Sequence, residues 1–199
     1  MADSFFQASP ALWQQAFGAH PFVLCVGAIQ PRKGQLLLAE ACNRLKLPLT
    51  LLGPVLPGHS GYATQVDEAM HKNEEFGGKW LQHLDNTDPM LQSAYAACRV
   101  FALLSSSETQ PLSVMEAMAA RKPILLLQAA YTEDPLFSNL HQLSAPKIEL
   151  AEEALRSAWN EARPTELSLT FSWLSVGKQL QTIYKTIAST PPRTGSRNG

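Results

Sequence analysis

The hydrophobic residues of this chain fall into short unbroken runs separated by stretches with helical spacing. Phe22-Val23-Leu24-Cys25-Val26-Gly27 is a run rich in β-formers, of the kind a strand buried on both faces requires. Gly34 opens a helical pattern in which Leu37, Leu38, Ala41, Cys42 and Leu45 form one stripe. Leu47 to Leu52 is a second apolar run, closed by Gly53-Pro54. Val55 to Gly61, with its prolines and glycines, reads as a loop. A polar helix is predicted from about Tyr62 to Phe76, ended by Gly77-Gly78, and Lys79 to Leu84 is a weaker strand candidate. Asp88-Pro89 is an N-cap and first helical residue, followed at helix spacing by Leu91, Ala94, Tyr95 and Cys98. Val100 to Leu104 is the third clear strand and Pro123 to Leu127 the fourth. Between them Pro111 to Ala120 is helical, with Leu112, Met115 and Ala119 on one side. Beyond Leu127 the pattern loses its period until Trp173, Val176, Leu180, Ile183, Tyr184 and Ile187, which mark an amphipathic helix.

Strand and helix therefore alternate from residue 22 to residue 127. That alternation predicts an α/β fold: a Rossmann-like, doubly wound parallel sheet with helices on both faces and right-handed crossovers. Residues 1–20 read as a connecting, interdomain segment, 21–189 as the folded domain, and 190–199, rich in proline and glycine, as a disordered tail. In such sheets the ligand crevice lies at the carboxyl ends of the strands. The loops after residues 27, 53, 84, 104 and 127 are then the ones that line a site. No internal repeat interrupts the pattern.

Composition narrows the class. With 199 residues, the chain suits one domain of ~100–200 residues and buries enough surface to need no disulfide or metal staple. A formal net charge of −1 argues against a dedicated nucleic-acid binder, and 45% hydrophobic residues argue against disorder. No apolar run approaches the ~20 residues of a transmembrane helix. The first Lys or Arg is Arg32, so a secretory signal with a basic start is not expected. Cys25, Cys42 and Cys98 are odd in number and widely spaced, without a CxxC pair. The expectation is a soluble, cytoplasmic protein of a reducing compartment.

Several familiar motifs are missing. The loop Gly27-Ala28-Ile29-Gln30-Pro31-Arg32-Lys33-Gly34 has neither the G-x-G-x-x-G spacing of a dinucleotide site nor the Lys-Ser/Thr ending of a P-loop. Gly58-His59-Ser60-Gly61 resembles a nucleophile elbow, but its second glycine comes one place early and no strand runs into it. The histidines lack metal-ligand spacing, and His83 in a strand reads as a structural side chain. No metal site and no cofactor are expected.

Two features carry chemistry. Arg32 and Lys33 lie between a buried strand and a helix, where basic side chains and free backbone N–H groups together suit an anion. By itself this is equally a solvated basic turn. Glu108 and Glu116, with seven residues between them, lie in the loop after the third clear strand and on the helix that follows. Carboxylates accept hydrogen bonds only, so each can hold vicinal hydroxyls of a sugar. Alone, such a pair is more often two solvated charges.

In combination they point further. Val26-Gly27, Pro31-Arg32-Lys33-Gly34, Ser105 to Glu108, Glu116-Ala117-Met118-Ala119 and Lys122-Pro123-Ile124 fall in the order and spacing of one family, as do Asp88 to Ala97 and Phe171-Ser172-Trp173. The sequence resembles the carboxyl-terminal, nucleotide-sugar donor half of family 4 retaining glycosyltransferases of the two-domain GT-B type, over roughly residues 20–188. The resemblance implies that Lys33, with Arg32 beside it, contacts the donor diphosphate. Glu116 would hold the ribose hydroxyls and Glu108 those of the transferred sugar. The backbone around Gln110 to Leu112 would meet phosphate or sugar, Gly27 would permit close approach, and the segment near Leu84 would border the base. Glu108 and Lys33 would be the catalytic pair, and transfer would retain configuration without a metal. The implied partners are the nucleotide-sugar and an amino-terminal acceptor domain not found in this sequence. The implied setting is polysaccharide biosynthesis, peripheral at a membrane if the acceptor is lipid-linked.

Departures from the family pattern are specific. Ala28 stands where many members carry arginine, Pro111 where glycine is common, and Arg121 where glycine usually follows the helix. Ala130-Tyr131-Thr132 lies where a glycine pair often touches the donor sugar. Three readings stay open: a glycosyltransferase donor domain, inactive on its own; a non-catalytic nucleotide-sugar-binding or scaffold domain; and another parallel α/β protein of flavodoxin-like or epimerase type.

Overall fold

Strands that are apolar at every position can only be central and parallel, covered on both faces, and the chain folds accordingly. The computed structural model describes residues 3–82, 84–85, 87–161 and 173–189. Its elements run α1 (Ala11–Phe17), β1 (Val23–Val26), α2 (Gln35–Leu45), β2 (Leu49–Leu52), α3 (Ser60–Asn73), β3 (Lys79–Leu81) and α4 (Pro89–Ala97). They continue with β4 (Val100–Leu103), α5 (Leu112–Ala119), β5 (Ile124–Leu127), β6 (His141–Leu143), α6 (Ile148–Asn160) and α7 (Trp173–Ser189). The six strands form one parallel sheet in the order β3-β2-β1-β4-β5-β6. This is the doubly wound α/β arrangement expected from the sequence.

Helices cover both faces. On one face α2 packs against α3 and α6, and on the other α1 packs against α4. The buried stripe of α2 is Leu38, Ala39, Ala41 and Cys42, so Leu37 and Leu45 sit at its margin rather than in the core. The Asp88 carboxylate accepts the Met90 N–H at 2.8 Å with Pro89 as first helical residue, which starts α4 as anticipated. Residues 3–17, within the stretch expected to connect domains, pack against α4. Phe5 meets Tyr95 edge-on at 5.3 Å, and Trp13 stacks on Phe22 at 5.1 Å. The Trp13 backbone N–H also donates to Ser93 Oγ at 2.9 Å.

The region after Leu127 is more regular than expected. Leu143 of β6 is buried at the sheet edge, and α6 buries Ala151, Leu155 and Ala158 against the rest. Ile148, Leu150, Ala154 and Trp159 pack against the core beside them, so the helical spacing was present in the sequence although no helix was expected there. In α7 the apolar side chains of Leu174, Leu180, Ile183, Tyr184 and Ile187 are exposed. The three cysteines are free and buried. No described helix is long and apolar enough to cross a membrane. His83, Phe171-Ser172 and the expected tail at 190–199 lie outside the described residues.

Candidate active site

Strand order reverses between β1 and β4, and a parallel sheet opens a crevice at such a point. Pairing there is confined to Val23 with Val100 and Leu24 with Phe101, whereas β1 and β2 pair over four positions. The loops leaving β1 and β4 therefore face each other across the carboxyl end of the sheet.

The first loop is shaped by glycine. Gly27 has φ +152°, and a Cβ on it would touch the Lys33 side chain at 3.7 Å. Pro31–Lys33 form a 3₁₀ turn of their own, and Gly34, at φ +68°, separates that turn from α2. A Cβ on Gly34 would lie 2.4 Å from the Leu104 carbonyl oxygen, so only glycine lets α2 start this close to β4. This corrects part of the expectation for the helix start. The Leu36 N–H already donates to the Tyr62 hydroxyl at 2.9 Å, so one of the donors assigned to an anion is occupied.

The second loop is stitched to the first. The Ser106 N–H donates to the Arg32 carbonyl at 2.9 Å, and the Arg32 guanidinium donates to the Ser107 carbonyl. Lys33 Nζ lies 2.6 Å from Glu108 Oε1, and Arg32 Nη1 lies 3.2 Å from the same oxygen. The Glu108 side chain is 8% exposed, that of Lys33 13% and that of Arg32 39%. Burial pushes the Glu108 carboxyl up, but the Lys33 hydrogen bond and the two cationic charges outweigh it and hold the group below its ordinary value. Glu108 is therefore an ionised acceptor.

Glu116 sits in a different environment on α5. Its Oε2 accepts the Tyr95 hydroxyl at 2.8 Å. Tyr95 is fully buried between Phe5 and Phe101, whose rings lie 5.3 and 5.6 Å from its own. Burial raises the Glu116 carboxyl above its usual range, and the Tyr95 hydrogen bond opposes that rise. Burial, and then the Glu116 charge, push the Tyr95 phenol well up, so it stays protonated and donates. One carboxylate is thus held by cations and the other by a phenol.

An open cavity of about 530 Å³ has Glu108 in its wall, while Lys33, Arg32 and Glu116 are not among its lining residues. Its lining includes Glu108, Gln110, Met115, Tyr131, Asp134 and Phe137. The fold brings Gly27, Arg32, Lys33 and Glu108 into one cluster and places Gln110 with Glu108 in the cavity wall. Leu112 is exposed at the start of α5, while Leu84 is half-buried against the core. Arg121 adopts the left-handed conformation at φ +55° that its glycine-like position called for. Tyr95 and Tyr62 were missed as site residues. Tyr95 was visible as one member of a helix stripe and of the Asp88 to Ala97 stretch that resembles the family, but nothing local marks its hydroxyl as a partner of Glu116. Among the described residues no group of three or more His, Cys, Asp or Glu side chains could hold a metal ion.

Comparison with known proteins decides the family, because the profile of glycosyl transferases group 1 matches residues 20–143. The chain belongs to that family. This glycosyltransferase chain is 25% identical over 187 residues to the O-antigen chain mannosyltransferase B of Escherichia coli, covering 88% of its own length and 49% of the relative's. Its fold is similar to sucrose-phosphate synthase from Thermosynechococcus elongatus, with a TM-score of 0.75, 18% identity and coverage of 94% of this chain and 51% of the other. It is also similar to HepE of Anabaena, solved in complex with UDP and glucose, with a TM-score of 0.66, 20% identity and coverage of 96% and 55%. The glycosyltransferase chain thus spans about half the length of these relatives, and its fold is that of the carboxyl-terminal domain of a GT-B glycosyltransferase.

Proposed function

We propose that this chain is the nucleotide-sugar donor domain of a retaining, family 4 type hexosyltransferase. The observation that carries this reading is the cluster of Lys33, Arg32 and Glu108 where strand order reverses, with a cavity opening beside it. Lys33 and Arg32 supply cations for a diphosphate. Glu108 supplies an ionised acceptor for hydroxyls of the transferred sugar, and Glu116, fixed by Tyr95, supplies one for the ribose hydroxyls. Gly27 lets the diphosphate approach the chain, the backbone from Gln110 to Leu112 borders phosphate and sugar, and the segment near Leu84 borders the base. During transfer the bond from the sugar's anomeric carbon to the diphosphate breaks, the acceptor hydroxyl oxygen bonds to that carbon on the same face, and its proton passes to the departing diphosphate oxygen. Negative charge grows on the leaving diphosphate. Lys33 and the N-terminus of α5 stabilise it, without a metal ion or any other cofactor.

Transfer also needs an acceptor held against the donor, and that positioning supplies much of the rate. In this reading the acceptor wall belongs to a second, amino-terminal α/β half, so the 199-residue chain alone binds donor weakly and transfers at no more than a trace rate. The test is a time course with labelled nucleotide-sugars, with and without a supplied amino-terminal half of a two-domain relative. Donor binding with transfer only in the presence of that half is the expected result. Efficient transfer by the chain alone overturns the division of labour, and donor binding with no transfer under either condition favours a non-catalytic binding module.

A further inference from the structure

The amino-terminal turn Asp3–Gln7 packs where two helices of the site meet. It touches both α4, which carries Tyr95, and α5, which carries Glu116. Phe5 is a buried residue of that turn, 2% exposed, and its ring stands edge-on to that of Tyr95 with centroids 5.3 Å apart. Phe101 of β4 stacks on the same ring at 5.6 Å, so one residue of the sheet and one of the turn clamp Tyr95. The Tyr95 hydroxyl donates to Glu116 Oε2 at 2.8 Å, and Glu116 Oε1 has no hydrogen-bond partner among the described residues. Phe5, Tyr95 and Glu116 thus form a contiguous line of contact from the turn to the half-buried carboxylate on α5.

We infer that Phe5 and Tyr95 are positioning residues for the nucleotide: the turn holds the Tyr95 ring, the ring holds its hydroxyl on Glu116 Oε2, and Oε1 is thereby presented to the ribose hydroxyls. This rests on the ribose role proposed for Glu116 and adds a control on it from outside the crevice. A glutamate on a helix has several staggered rotamers, and an orientation fixed beforehand avoids an ordering cost when two vicinal hydroxyls bind. The bond to Oε2 supplies that orientation, provided its donor cannot swing. Phe101 fixes one flank of the Tyr95 ring, and removing the Phe5 side chain leaves a void beside it into which the ring can move. Thermodynamic linkage makes the coupling reciprocal: whatever docking of the turn adds to ribose binding, ribose binding adds to docking of the turn. Packing alone gives a different result, because loss of Phe5 would then weaken all nucleotides alike.

The experiment compares nucleoside diphosphates with their 2′,3′-dideoxy counterparts, which lack the ribose hydroxyls and keep the base and diphosphate. The 199-residue chain, its Phe5→Ala and Tyr95→Phe variants and the double variant would be titrated by calorimetry, each well below its melting temperature. The ligands are UDP, GDP, ADP and CDP, with the dideoxy form of whichever binds most tightly. The unmodified chain is expected to prefer the ribose form by about tenfold or more. Each single variant should cut that preference to about threefold or less. The double variant should lose no more of it than Tyr95→Phe alone, because Phe5 acts through the Tyr95 hydroxyl. A full preference in Phe5→Ala, or a further loss when it is added to Tyr95→Phe, overturns the inference and leaves the ribose role of Glu116 standing. Hydrogen exchange on the unmodified chain gives a second reading that needs no variant. At saturation the ribose form should slow exchange from Ser4 to Gln7 more than the dideoxy form does, and equal protection overturns the coupling. Equal affinity of the unmodified chain for both forms removes the ribose role of Glu116, and the inference with it. If no nucleotide binds at all, the donor-domain reading falls as well.

Discussion

Lys33 and Glu108 are 75 residues apart in the chain and 2.6 Å apart in space. They close the point where the sheet reverses its strand order, and each largely neutralises the other. A ligand diphosphate must therefore compete with Glu108 for the ammonium. Replacing Glu108 by glutamine is expected to have opposite effects on two ligands. The bare nucleoside diphosphate should bind several-fold more tightly, because Lys33 and Arg32 are released to it. The sugar ester should lose about tenfold relative to the diphosphate, since a charge-assisted bond to a ligand hydroxyl contributes about 1.5–3 kcal/mol. Calorimetry with both ligands on both proteins checks this, and parallel changes would contradict it.

Glu116 and Glu75 offer a matched comparison. Glu116 is partly buried on α5 beneath the Tyr95 hydroxyl, while Glu75 is an exposed residue after α3. Glu116→Ala is expected to weaken nucleotide binding by about 1.5–3 kcal/mol and Glu75→Ala to leave it unchanged. Equal effects would remove Glu116 from the ribose site.

The two carboxylates should also pull acid stability in opposite directions. Glu108 is held below its ordinary value, so its contribution is present above the unfolded value of about 4.3 and disappears as pH falls through the lowered folded value. Glu116 is raised, so the folded state binds its proton more tightly. Stability then falls as pH rises from about 4.3 through the raised value, and the ionised group is unfavourable at neutral pH. Glu116→Gln keeps an oxygen for the Tyr95 hydroxyl. It is expected to melt at or above the parent temperature at pH 7, with the difference shrinking toward pH 4. Glu108→Gln should melt lower than the parent at pH 7 and approach it in acid. Melting curves at unit pH steps from 3 to 7 read both effects.

Arg121 provides a test of backbone strain remote from ligand chemistry. A non-glycine residue in the left-handed region costs about 1–2 kcal/mol, partly offset by the greater chain entropy that glycine loses on folding. Arg121→Gly is expected to stabilise the chain by about 0.5–1 kcal/mol, a rise of roughly 1–4 °C in melting temperature. A lower melting temperature would show that the arginine side chain compensates the strain.

Donor binding is expected to survive EDTA, because Lys33, Arg32 and the start of α5 carry the anion in the proposed mechanism. Titration before and after chelation decides the point, and a strict magnesium requirement would contradict the metal-free reading.

Local sequence was enough to read strands β1 to β5, helices α2 to α5 and α7, and the order in which they alternate, whereas α1, β6 and α6 were not expected. Four apolar residues in a row with a glycine after them suit a buried parallel strand, as in Val23–Val26. The Asp88-Pro89 start of α4 was legible for the same reason, since it depends on residues within one turn, whereas Arg121 was singled out only by the family's usual glycine at that place. Glu108, Glu116 and Lys33 were legible as a spaced pattern, but their environments were not. Only the reversal of strand order brings the β1 and β4 loops together and sets Lys33 against Glu108. Only packing of residues 3–17 and α4 against the sheet buries Tyr95 and aims its hydroxyl at Glu116. The face of α6 was legible too, since Ile148, Ala151, Leu155, Ala158 and Trp159 recur at helix spacing, although no helix was expected there. Hydrogen bonds and ion pairs between residues far apart in the chain carry no local periodicity, so tertiary structure alone decided which polar groups are satisfied and which, like the Tyr131 hydroxyl, are buried without a partner among the described residues.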